Sequence, residues 1–201
     1  MPSFHLTSTD TPQLLEIPYL TADNYLDWAP SMQRLLGSQN LWDLISDPSA
    51  TSSAITTQRQ YSATSLILSL VPMSTQQEFS LQHITSPSIL WERIKTHYRS
   101  SLNPWNIRQQ LYSLRLDEDL DGSVVRYALR IDYLVLKYNF SMLAAERMGD
   151  AELAWIYVHG LPDSREWREK KEEWTQGENR LEYLRDPRKL KFEMLEFERG
   201  L

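Results

Sequence analysis

The 201-residue sequence contains no cysteine. That absence removes disulfide frameworks, CxxC redox chemistry, thiol nucleophiles, iron–sulfur clusters and Cys-based zinc fingers or knuckles from these residues. No run approaches the roughly 20 apolar residues of a membrane span. The start, Met1-Pro2-Ser3-Phe4-His5-Leu6, has neither the basic residues nor the apolar stretch of a secretory signal. A soluble, intracellular protein with no membrane partner is the expectation. An excess of positive charge is also missing. With 21 basic against 27 acidic side chains, the formal net charge is -6, which argues against a chain-wide footprint for phosphate backbones.

Catalytic signatures are absent as well. There is no GxxxxGK[ST] phosphate loop, no HExxH and no GxSxG elbow, and Asp163-Ser164 is followed by Arg165 rather than by the glycine of an aspartic-protease triplet. The four histidines, at positions 5, 83, 97 and 159, have no recognisable partner spacing, and His97 and His159 read as partly buried helix residues beside aromatics. No catalytic residue, cofactor or metal ligand is therefore assigned, and an enzyme is not expected.

What the chain does have is core material: 41% hydrophobic residues, with seven Trp and ten Tyr, enough for one compact domain or two small lobes. Helical spacing dominates. Tyr25, Trp28, Met32, Leu35 and Leu36 form one stripe on a helix starting near Asp23 or Asn24, with Pro30 inside it. Leu41, Trp42, Leu44 and Ile45 form an apolar turn, and Ser46 to Ser53 a loop. Ala63, Leu66, Ile67, Leu70 and Val71 repeat the helical spacing until Pro72, and a short helix is predicted from Ser74 to about Gln82. Ser86-Pro87 then supplies an N-cap and a first-turn proline ahead of Leu90, Trp91, Ile94 and Tyr98.

Asn103-Pro104 disfavours helix at the junction, so Ser100 to Pro104 is the expected hinge between lobes. Beyond it come a helix marked by Ile107, Leu111 and Leu114 and the clearest stripe, Val124, Tyr127, Ile131, Leu134, Val135 and Tyr138. Leu153, Ile156, Tyr157, Gly160 and Leu161 form another. Asp163 and Glu166 suit a capping box for a helix through Trp167 and Trp174, and Asp186-Pro187 caps a last helix. Residues 165–201 carry ten basic and ten acidic side chains, as expected of helices with solvated, ion-paired faces. The expected fold is all-α, about eight to ten helices in two lobes. The expected divisions are a flexible arm over residues 1–18, an N-terminal lobe over 19–101 and a C-terminal lobe over 102–201 with a charged terminal helix.

Two motifs invite sharper chemistry. Asp117-Glu118-Asp119-Leu120-Asp121-Gly122 reproduces the opening of a calcium loop, but the twelfth position is Ala128 where a bidentate Glu is required. It reads instead as an acidic loop, with Asp121 or Ser123 capping the following helix. Arg93, Lys95, Arg99 and Arg108 interleave with Trp91, Tyr98 and Trp105, a composition that suits weak contact with single-stranded nucleic acid. An ordinary charged helix face over core aromatics is the preferred reading, because the four straddle the hinge.

Taken in order, the segments resemble the capsid region of copia-type LTR-retrotransposon Gag. Leu20-Thr21-Ala22-Asp23-Asn24-Tyr25-Leu26-Asp27-Trp28, then Met32, Leu35 and Leu41-Trp42-Asp43-Leu44-Ile45, is similar to that family's NY-x-x-W, Met and LW-x-x-I opening. Ile89-Leu90-Trp91-Glu92-Arg93-Ile94 through Tyr98 resembles its "TAKEIWDxLxxxY" helix, with Ser86-Pro87-Ser88 replacing Thr-Ala-Lys. Leu111 to Leu116, with Leu114, then Gly122-Ser123-Val124, Tyr127, Arg130 and Leu134, resembles "LxxLKMxEGESVxEYxxRxxxL", the most specific match. Gly160-Leu161-Pro162-Asp163-Ser164 resembles "LLxxLPxSY", with Arg165 in place of Tyr. The resemblance spans roughly residues 20 to 175.

The resemblance implies a capsid-type protein with two helical lobes that self-assembles into cytoplasmic virus-like particles around element RNA, with nuclear presence also compatible. RNA would be held indirectly or by sequence outside these residues, since the family's Cys/His knuckle, protease, integrase and reverse transcriptase are not in them. Candidate assembly contacts are Trp105, Trp167 and Trp174, taken as side chains the core does not need. Two rivals are a domesticated, non-assembling interaction module, for example one that interferes with a related capsid, and a nucleic-acid-binding regulator.

Overall fold

A computed structural model describes residues 17–21, 23–47, 54–116 and 122–200. The expected loop beyond Asp47, most of the expected N-terminal arm and the acidic Asp117–Asp121 segment lie outside the described residues. Among those described, the chain is all-α, with eleven α-helices, eight of them longer than six residues, and no strand. It divides into two compact units, Met1–Lys95 and Thr96–Leu201. The division falls six residues upstream of the boundary expected from Asn103-Pro104, inside a helix.

The first unit holds α1 (Tyr25–Ser38), α2 (Asp43–Ser46), α3 (Ala54–Ser69), α4 (Met73–Glu78) and most of α5 (Pro87–Ser101). Asn24 does not cap α1 through its side chain. Instead its Oδ1 accepts from the Thr21 amide at 2.8 Å and its Nδ2 donates to the Tyr19 carbonyl at 2.9 Å, which folds the preceding strap against the helix start. The strap is tied down further by the Leu20 amide, which donates to the Leu70 carbonyl at 2.8 Å and brings Leu20 into the core. Along α1 the helical period buries Tyr25, Trp28, Met32 and Leu36, and Trp28 stacks on Trp91 of α5 with centroids 5.8 Å apart. Trp42 meets the edge of Trp91 at 5.3 Å. Arg59 of α3 closes the unit's surface by donating to Asp43 at 2.7 Å and to the Asn40 carbonyl.

The single helix expected from Ser74 to Gln82 is two elements. Ser80 adopts a left-handed conformation, φ 51°, which ends the α-helical path and restarts it as a 3-10 turn over Leu81–His83. Ser86 lies ahead of Pro87 at the start of α5, with its Oγ accepting from the Ile89 amide at 3.5 Å.

The second unit holds the end of α5 and α6 (Pro104–Ser113), α7 (Val124–Ser141), α8 (Asp150–His159), α9 (Arg165–Gln176), α10 (Arg180–Arg185) and α11 (Pro187–Gly200). Asn103 caps α6 by accepting from the Asn106 amide at 3.2 Å, so the Asn-Pro junction ends one helix and starts the next. The central element is α7, whose inner face buries Val124, Tyr127, Ile131, Leu134 and Tyr138. Its N-terminus is satisfied twice. Ser123 Oγ accepts from the Arg126 amide at 3.4 Å, and Glu198 of α11 accepts from the Val124 amide at 2.7 Å, placing an acid at the positive end of the helix. The α9 cap falls at Ser164, not Asp163 as the capping-box pattern predicts; Asp163 is drawn away by Lys171, 2.9 Å from its carboxylate.

The turn after α8 is packed so closely that only glycine fits. A Cβ at Gly160 would stand 2.2 Å from the Tyr127 hydroxyl and 2.5 Å from the Leu114 carbonyl oxygen. The Tyr127 hydroxyl cannot retreat freely, because it donates to the Ile156 and Tyr157 carbonyls at 2.9 and 3.2 Å. Gly160→Ala is therefore expected to destabilise the second unit by about 1–3 kcal/mol, as overpacking does. A denaturation midpoint unchanged from the parent would contradict this close packing.

Candidate assembly surface

Self-association requires apolar surface that the folded unit leaves uncovered, and α7 supplies it. Val125, Leu129 and Leu136 are 50%, 60% and 52% exposed. At about 100° per residue they fall within about 40° of one another, on the side of the helix opposite the buried stripe. Leu143, 60% exposed, follows just beyond the helix end. On one flank of this ridge the same periodicity places Arg126, Arg130 and Lys137, with the Lys137 ammonium 5.1 Å over the Tyr133 ring. Asp132, within about 20° of Val125 on the same wheel and with its side chain 44% exposed, interrupts the ridge between Leu129 and Leu136; it accepts from the Tyr157 hydroxyl at 2.5 Å and from Lys191. The result is an apolar ridge with one basic edge. Exposed apolar side chains gathered on one helix face and rimmed by polar groups suit an interaction site.

The first unit also exposes large apolar side chains, Tyr19, Tyr61, Met73 and Ile89 among them. Its charge is of the opposite kind: eight carboxylates against four basic side chains, Arg34, Arg59, Arg93 and Lys95.

The tryptophans expected to be surplus to the core separate into two kinds. Trp105, on α6, is 67% exposed and remains available for contact. For Trp167 and Trp174 the expectation is corrected: both are buried, with centroids 6.5 Å apart, and Phe197 of α11 meets Trp167 edge-on at 4.9 Å. Seven residues apart on an otherwise charged helix, they are the seam by which α9 joins the unit. Of the residues that carry the family resemblance, Tyr25, Trp28, Met32, Leu41, Trp91, Tyr98, Leu111, Leu114, Val124, Tyr127, Leu134 and Leu161 are buried. Trp42 and Pro162 are half-buried and Arg130 is exposed.

The four basic residues of the expected weak nucleic-acid patch lie on two helices, α5 and α6. Arg93 and Lys95 stand about 160° apart around α5, Lys95 and Arg99 lie one turn apart on one face of it, and Arg108 is on α6. Lys95 pairs with Glu92 at 3.0 Å. Arg108 is held by Glu152 at 2.6 Å and by the Tyr112 hydroxyl at 3.1 Å, bonds that favour its charged form.

A polar chain that the sequence did not announce runs along α8. The Tyr112 hydroxyl donates to Glu152 at 2.5 Å, Tyr112 meets Trp155 edge-on at 5.5 Å, and Trp155 stacks on His159 with centroids 4.2 Å apart. His159 is exposed rather than partly buried, and its Nε2 lies 3.1 Å from the Arg115 guanidinium. The i, i+4 spacing of Trp155 and His159 was the one visible signal; Arg115 is 44 residues away in sequence. The other strongly shifted groups are Tyr25, Tyr127 and Tyr157, each held protonated chiefly by burial. Among the described residues no three His, Asp or Glu side chains group as metal ligands, and no helix is long and apolar enough to cross a membrane. In comparison with known proteins, no family model, curated protein or solved structure matches the chain.

Proposed function

We propose that this chain is a structural capsid protein of the copia-type Gag kind, acting by self-association into virus-like particles that enclose element RNA, and not by catalysis. The ordered resemblance from Leu20 to Ser164 supports the family, and the basic-edged apolar ridge of α7 supports the activity. An antiparallel pairing of two α7 ridges sets the same flank of each against its counterpart, opposing Arg126, Arg130 and Lys137 with their own copies. A head-to-tail contact avoids that repulsion by setting the ridge against the acid-rich first unit of a neighbour. Heterologous contacts of this kind repeat into rings, shells or filaments. RNA is enclosed by the wall rather than gripped by an extended basic surface, in keeping with the net charge of -6.

The test is negative-stain microscopy of the purified chain at high concentration and low salt. Rings, tubes or shells of uniform repeat support the reading. Fields without regular particles under all conditions overturn it in favour of a non-assembling interaction module.

A further inference from the structure

A cleft of about 590 Å³ opens in the second unit beside the turn that follows α8. Its lining combines three kinds of group. Trp155, 48% exposed, has one face stacked on His159, which leaves its other face as an aromatic wall. Arg115 and Lys171 bring cationic groups from different elements; Arg115 also donates to the Tyr112 and Leu114 carbonyls at 3.0 and 2.9 Å, and its guanidinium lies 3.1 Å from His159 Nε2. Asp163 is the one carboxylate among the described lining residues; it pairs with Lys171 at 2.9 Å, while the Arg168 guanidinium donates to its backbone carbonyl at 3.0 Å. Lys171 is well enclosed, its side chain 19% exposed, whereas the Asp163 side chain is 89% exposed. A second acceptor can compete for the ammonium from within the cleft, against a carboxylate that solvent already reaches.

We infer that this cleft binds a nucleoside phosphate, its base laid against the face of Trp155 that is not stacked on His159 and its phosphate between Lys171 and Arg115. Stacking on an exposed aromatic beside cationic groups is the chemistry by which unpaired nucleotides are held, and charge-assisted bonds to phosphate are the stronger kind. The site is separate from the α7 ridge and does not depend on self-association. The state of His159 agrees with it. Partial desolvation under Trp155 and the neighbouring Arg115 and Lys171 hold the imidazole below its ordinary pKa, opposed by Asp163, so an anion entering the cleft raises it again. Binding then takes up a proton and tightens as the pH falls toward the free-state pKa. The shared chemistry has two sources, a free mononucleotide or a nucleotide within a single strand.

The experiment is an NMR titration of the full chain with AMP, adenosine, inorganic phosphate and a ten-nucleotide oligoadenylate, following the Trp155 indole and the His159 imidazole. AMP is expected to shift both resonances saturably, and to bind about tenfold more tightly than adenosine or phosphate alone because each supplies only half of the contacts. The His159 pKa rises in the complex. Lys171→Gln weakens AMP binding about tenfold, and Asp163→Asn, which removes the competing carboxylate, strengthens it several-fold. That opposite sign cannot come from a destabilised variant. Oligoadenylate binding tighter than AMP assigns the site to a strand, and equal affinity assigns it to the free nucleotide. Unmoved Trp155 and His159 resonances with every probe, or weaker binding by Asp163→Asn, overturns the inference.

Discussion

Replacing Leu129 and Leu136 together by aspartate is expected to abolish large assemblies while leaving the folded chain intact. Both positions are more than half exposed on the outer face of α7, so the folded unit loses only the helix-propensity difference, of the order of 0.5 kcal/mol at each site. In an assembled contact the same carboxylates must be stripped of water, at a cost of several kcal/mol when left unpaired. They would also face the acid-rich first unit of a neighbour. The contact should weaken by at least about a hundredfold, roughly 2.7 kcal/mol. Particles need every such contact at once, so the loss is expected to be complete. Circular dichroism and thermal unfolding like the parent's, with only small species by light scattering, is the expected pair of results. Particles of normal size from the double variant would remove α7 from the assembly surface.

The second large effect concerns the core of the first unit. Trp28 is 1% exposed, packed between Tyr25 at 6.4 Å and Trp91 at 5.8 Å. Trp28→Ala is expected to cost about 3–5 kcal/mol, since it deletes a large buried ring and leaves a cavity. That is a large part of the 5–15 kcal/mol that usually stabilises a domain, so the first unit should unfold at or near physiological temperature. Among the described residues its indole Nε1 has no hydrogen-bond partner. Trp28→Phe therefore removes a buried, unsatisfied donor along with ring area, and should cost clearly less than the alanine change. Chemical denaturation of the two variants beside the parent measures both, and equal losses would show that the ring's packing is not what matters.

The amphipathic helices were legible because their buried faces repeat at the helical period and their ends carry local signals. Ser86-Pro87, Asn103-Pro104 and Asp186-Pro187 each stand immediately before or at a helix start, and Asp186 accepts from the Arg188 amide at 3.1 Å as a cap should. The break at Ser80 was not legible, since a left-handed serine has no composition signal. Helix α8 follows no single stripe: Ala154, Ile156, Tyr157 and Val158 are all buried because α8 is covered from several sides. The error over Trp167 and Trp174 has the same root. On a helix as charged as α9, two isolated indoles look superfluous, yet their seven-residue spacing leaves them the only apolar seam it has.

The candidate surface was legible only in part. Val125, Leu129 and Leu136 were visible as residues out of phase with the α7 stripe, but an out-of-phase leucine can always be covered by another element. Only the packed unit shows that these three are not. The Arg115–His159 and Lys171–Asp163 pairings depend on where the turn after α8 sits, and that is fixed by Gly160 closing on Tyr127 and Leu114. No local pattern encodes such a meeting.

The central claim is self-association through a basic-edged apolar ridge, and the most direct measurement is the weight-average mass of the purified chain by light scattering over a wide range of concentration at low and high salt. The account predicts a mass that rises well beyond a dimer with concentration and falls as salt screens the ridge's Arg126, Arg130 and Lys137 from acidic surface. A constant mass of 23.6 kDa, that of the single chain, at every concentration and salt would contradict it.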